Sequence, residues 1–178
     1  MSVHRSTHLP VVPAIGKLIV AEHCLKPTLT ALNSSRGVNG TPHEGLVLWL
    51  GRTVGNSTLV LSVGCPKVVS TPGSVRVDEN EIGRITRLAK SKMLGIVAQV
   101  HSHPSLDTRH SDGDDQLIFM PFEGMFSLVV ADYGNGGLTV EDGVGVQIFL
   151  RQVIPTQSST TWITAMRSWL GQQLLQIP

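Results

Sequence analysis

The chain has 178 residues, 41% of them hydrophobic and 15% charged, with a formal net charge of +1. Length and balance fit one globular domain with a real core, and the charge gives no reason to expect nucleic acid or an anionic membrane as partner. No apolar stretch reaches the roughly 18 to 20 residues that span a bilayer, and Cys24 and Cys65 form no framework or C-x-x-C pair, so a reducing cytoplasmic setting is expected.

Residues 1 to 14 carry His4, His8, Pro10 and Pro13 without periodicity and read as a loosely held arm; they lack the basic start and apolar centre of a signal peptide. Gly16 to Val20 is a short strand candidate. Leu25, Leu29 and Leu32 recur at helical spacing, and Pro27 fits the first turn of that helix. The stretch from Asn33 to Pro42 is dense in turn formers and reads as a loop. Glu44 then opens Gly45 to Gly51, an unbroken apolar run that predicts a strand covered on both faces. Gly55-Asn56 turns the chain into Ser57 to Val63, giving an antiparallel hairpin, and Pro66 to Gly73 reads as irregular.

Asp78 and Glu81 have the form of a helix-start box ahead of the stripe Ile82, Ile85, Leu88, Ala89 and Met93, with Gly95 ending the helix. Gly95 to Val100 leads as a strand into His101-Ser102-His103-Pro104. Gln116 to Met120 reads as a short helix, Phe126 to Ala131 as an apolar strand, and Asn135-Gly136-Gly137 as a turn. Val144, Val146, Ile148 and Leu150 alternate as a last strand. Residues 155 to 161 form a polar connector, and Trp162, Met166, Trp169, Leu170 and Leu174 predict a terminal helix. The element order points to an α/β sandwich, a mixed sheet flanked by helices.

Residues two apart on a strand share a face, so His101 and His103 aim two imidazoles at one point, and Pro104 ends the strand behind them. Asp114 follows after a short loop. Two histidines and a carboxylate, without cysteine, suit a zinc site that keeps one position open. Ser111-x-x-Asp114 also has the form of a helix cap, and the two roles are compatible, because a helix start presents a carboxylate rigidly. Asp107 and Asp115 are rival carboxylates, although the spacing favours Asp114. His43 and His110 flank these residues and read as solvated loop positions. Trp49 reads as core, and the cysteines as inert small hydrophobes.

Taken together, Glu44, His101-Ser102-His103-Pro104, six intervening residues and Ser111-x-x-Asp114 resemble the motif of the JAMM (MPN-plus) metalloproteases. The resemblance covers roughly residues 15 to 150, leaving the 1–14 arm and the 155–178 connector and helix outside. It implies an MPN/JAB-type (cytidine-deaminase-like) α-β-α sandwich with one Zn2+ per chain on His101, His103 and Asp114. Glu44 would be the general base that takes a proton from water and returns it to the leaving amine, and Ser111 would hydrogen-bond the oxyanion. The implied partner is a ubiquitin-like protein, cut at the isopeptide or peptide bond after its C-terminal glycine. The absence of large insertions resembles stand-alone prokaryotic enzymes, which points to a bacterial conjugation pathway such as one in antiviral defence. Two alternatives stand beside this: a processing peptidase that matures a ubiquitin-like or sulfur-carrier precursor, and a non-catalytic MPN scaffold for protein partners.

Overall fold

A computed structural model describes residues 17–110, 124–139, 144–151, 164–168 and 175–176. In chain order the elements begin with β1 (Lys17–Val20), a 3-10 turn at Glu22–Cys24, α1 (Leu25–Asn33), β2 (Leu46–Val54) and β3 (Ser57–Gly64). They continue with β4 (Val68–Thr71), β5 (Ser74–Val77), α2 (Glu79–Ser91), β6 (Gly95–Ser102) and β7 (Phe126–Val130). After a second 3-10 turn at Asp132–Gly134 come β8 (Gly145–Arg151), β9 (Thr164–Ser168) and β10 (Leu175–Gln176). Eight strands form one mixed sheet in the order β10-β1-β3-β2-β6-β7-β8-β9, and β4 and β5 pair as a separate hairpin. The class is α/β.

β2 is apolar on both faces, as its unbroken run demands. Val47 and Trp49 pack with Leu18, Leu32, Val100 and Leu128 on one face, against which α1 lays Leu25, Leu29 and Leu32. Leu48 and Leu50 face the other way, onto Ile82, Ile85 and Ala89 of α2. The two helices therefore cover opposite faces; of the stripe expected for α2, Ile82, Ile85 and Ala89 are buried, whereas Leu88 is exposed and Met93 lies exposed beyond the helix end. Asp78 caps α2 by accepting from the Asn80 backbone N–H at 2.8 Å. Glu81 does not complete the box. It accepts from the Lys67 N–H and pairs with Arg84 instead. The helix stops at Ser91 because Met93 takes a positive φ of 57°, with the Leu94 N–H closing onto Ala89 O at 2.9 Å. Gly95 begins the next strand rather than capping the helix.

Two expectations are corrected. Residues 68–71, inside the stretch read as irregular, pair with β5 as a hairpin. At the C-terminus, the described part of the expected helix is strand: Thr164–Ser168 pairs antiparallel with β8, and Leu175–Gln176 runs parallel to β1. The Val144 to Leu150 run is thus not the last strand. The physical reason is that pairing onto β8 and β1 gives these segments long-range ladder hydrogen bonds, which local helical spacing does not register. Trp162, Trp169, Leu170 and Leu174 lie outside the described residues, as do the 1–14 arm, the 155–161 connector and the Gln116 to Met120 helix.

β9 and β10 sit at opposite ends of the strand order, yet Leu175 is only seven residues beyond Ser168. Seven residues reach at most about 25 Å. The edges of a flat eight-stranded sheet stand about 33 Å apart. The sheet must curl. Among the described residues no helix is long and apolar enough to cross a membrane.

Candidate metal-binding site at the end of β6

The predicted histidines lie where the strand pairing changes sense, since β6 runs antiparallel to β2 and parallel to β7. Carboxyl ends of strands at such a switch are common ligand positions. His101 is buried, 3% exposed, and registers with Leu46 on one side and Val129 on the other. His103, partly exposed, stands just past the strand, its N–H on Val130 O and its carbonyl accepting from the Tyr133 N–H at 2.8 Å. The two Nε2 atoms approach to 3.3 Å.

That separation tests whether a metal fits. Two imidazole nitrogens bound tetrahedrally to zinc at about 2.0 to 2.1 Å are about 3.3 Å apart. The second ring nitrogen matters as much. His103 Nδ1 is 2.8 Å from Asp107 O, and a carbonyl only accepts, so this nitrogen carries the proton. The neutral ring then presents Nε2 as a lone pair, the tautomer a metal needs. The residues present fit the group. Ser111 and Asp114, the expected oxyanion donor and third ligand, lie outside the described residues. Among those described, no cluster of three metal-ligating side chains occurs.

Glu44 is brought to the same end of the sheet. Its N–H donates to Thr71 O at 3.0 Å, its carbonyl accepts from Ser35 Oγ at 2.9 Å, and the residue is 5% exposed. The next residue locks onto the histidine strand: the Gly45 N–H donates to Ser102 Oγ at 2.9 Å, and Gly45 O accepts from the Ser102 N–H at 3.1 Å. Leu46 pairs with His101 and Gly45 is bonded to Ser102, so Glu44 precedes β2 at the end of the sheet where His103 follows β6. Gly45 has a steric reason, since a Cβ there would sit 2.7 Å from the Leu32 backbone.

The loop after His103 is held rather than loose. The Asp107 N–H donates to Ser105 Oγ, the Asp132 N–H donates to Ser105 O, and Thr108 O lies against the Cα of Gly145, where any Cβ would be 2.0 Å away. Asp107, the rival ligand, is engaged by Arg109 at 2.6 Å, and that guanidinium holds its carboxyl well below the usual carboxylate range. Asp115 lies outside the described residues. His110 is not a solvated loop position. Its ring stands edge-on to His101, centroids 5.4 Å apart. His43 is part-buried beside Ser70 Oγ. Cys24 is buried in the core and desolvation raises its thiol pKa, the opposite of what a nucleophile needs.

Comparison with known proteins gives a fold and no family. No family model matches the chain, and no curated protein matches it. The chain is similar to the solution structure of protein DSY2949 from Desulfitobacterium hafniense, with a TM-score of 0.59 and 17% identity over 75% of this chain and 84% of that one. A likeness at that identity speaks for the fold alone.

Sequence reasoning missed Ser102, the buried hydroxyl that ties Glu44's strand to the histidines, and the turn of Asp132 and Tyr133. Those two residues take positive φ of 49° and 51° and deliver their N–H groups to Ser105 O and His103 O. The Tyr133 hydroxyl also donates to Pro72 O at 3.1 Å, joining the β4–β5 hairpin to the site. Ser102 lay inside the His-Ser-His signal; nothing in the sequence marked Tyr133.

Proposed function

We propose that the chain is a zinc-dependent isopeptidase of JAMM type, on an MPN-type sheet, acting after the C-terminal glycine of a ubiquitin-like modifier. The observation that carries this reading is the 3.3 Å approach of the His101 and His103 Nε2 atoms, with His103 Nδ1 committed to Asp107 O. His101, His103 and Asp114 would hold the metal, and zinc at such a site supplies Lewis acidity at neutral pH. Glu44 is the proton carrier: a buried residue with both backbone groups fixed, next to the strand end that bonds Ser102, takes and returns a proton without reorganising. Ser111 would donate to the developing oxyanion. A bacterial conjugation pathway and a cytoplasmic location follow from the same reading.

The test pairs metal content with turnover. The purified chain should hold near one zinc, lost in His103→Ala and in Asp114→Ala. Glu44→Gln should keep the metal and lose cleavage of an isopeptide conjugate by about 10²- to 10⁴-fold. A wild-type chain without zinc, or a His103→Ala variant that retains it, would sink the reading. Cleavage of a C-terminally extended precursor but of no conjugate would replace it with a processing peptidase. Zinc binding without either cleavage would favour a scaffold.

A further inference from the structure

We propose that Gln99 and Ser127 form a buried site for an ordered water molecule inside the sheet, on the face that carries His101. The two residues are direct partners in the β6/β7 register, so their side chains stand side by side on one face. Gln99 lies two residues before His101 on that strand, about 6.7 Å away and on the same face. Both are deeply buried, 3% and 0% exposed. Gln99 Oε1 and Ser127 Oγ take no hydrogen bond from any protein group described. Buried polar atoms in native proteins nearly always have a partner.

The chemistry of the pair defines what fits. Gln99 Oε1 only accepts, and Ser127 Oγ accepts or donates, so the shared occupant must donate to the amide oxygen and meet a hydroxyl. Neither Gln99 nor Ser127 carries a formal charge, and in the register Leu48 neighbours Gln99 on the β2 side and Gln147 neighbours Ser127 on the β8 side. That disfavours an ion and leaves a small neutral donor. Water bridging two neighbouring side chains of a sheet meets both demands. The site does not rest on the zinc reading, and every measurement below uses metal-free protein.

A crystal structure of the full chain prepared without metal should show density within hydrogen-bond distance of both Gln99 Oε1 and Ser127 Oγ. In solution, the wild type should show a long-lived water with cross-relaxation to the Gln99 side-chain amide. Gln99→Met keeps the volume and removes the acceptor, and Ser127→Ala removes the hydroxyl. If one water joins them, each single substitution lowers the urea midpoint, and the double variant lowers it by less than the two shifts added. A dry position, or a side chain from another part of the chain bonded to Gln99, overturns the proposal. So does strict additivity of the two substitutions. The wild-type spectra decide the matter even if a variant fails to fold.

Discussion

The indole of Trp49, fully buried in β2, donates to Thr28 Oγ1 at 2.8 Å, and the same hydroxyl donates to Cys24 O at 2.8 Å. One α1 side chain thus satisfies the buried indole donor and adds a second bond to the N-cap carbonyl of its own helix. Thr28→Val keeps the shape but orphans the buried indole N–H, and should cost about 1 to 3 kcal/mol in a denaturant titration. An unchanged midpoint would mean that the pair is otherwise solvated. At the start of α2, the Arg84 guanidinium and then the Lys67 N–H lower the Glu81 carboxyl from its usual 4.5 to about 2. A depressed carboxylate contributes stability above its unfolded value and loses it as pH falls. The Glu81 contribution is therefore complete above about pH 4.5 and gone near pH 2, and the carboxyl carbon shift in an NMR titration reads it directly. Arg84→Ala should return that midpoint most of the way to the ordinary value. At this scale the sequence was informative about chemistry: His101, His103 and Glu44 stood out by type and spacing. The His110 ring against His101 and the Ser102 lock did not, because both depend on which strand lies beside which.

Among the elements, β2 depends on one glycine. Its pairing with β3 shifts register between Leu50 and Gly51, and a Cβ on Gly51 would come within 1.8 Å of Leu59 O. The neighbour is backbone and cannot step aside. Gly51→Ala should destabilise by about 1 to 3 kcal/mol or more, and it should perturb the amide shifts of Leu59 and Val60 first. A mild, delocalised effect would show that the bulge migrates. α1 and α2 were legible from helical periodicity, and β2 and β6 from apolar runs of strand length. The β4–β5 hairpin was not, since its exposed Val69 and Pro-rich approach give no burial signal.

For the whole molecule, the C-terminal region decides how the sheet ends. β9 pairs with β8 through five registered partners, from Gln147↔Ser168 to Arg151↔Thr164, and β10 pairs with β1. Ending the chain after Ile154 should expose both edges, lower the thermal midpoint and promote association through the bared strands. A truncated chain that melts as the full one does would show these strands to be dispensable. The curl also brings β10 beside β1.

The sequence alone singled out His101, His103 and Glu44 by type and spacing and marked the central strands, since residue type and apolar pattern act locally and survive without knowledge of neighbours. It pointed to two imidazoles on one strand face, and to a carboxylate ahead of a strand buried on both sides. Tertiary structure decided what those residues meet. It tied Gly45, next to Glu44, to Ser102 between the histidines, fixed the His103 tautomer on Asp107 O and drew Asp107 to Arg109. It also converted a helix-like apolar spacing near residue 166 into strand. Each outcome turns on contacts between segments far apart in the chain, whose hydrogen-bonding demands no local pattern encodes.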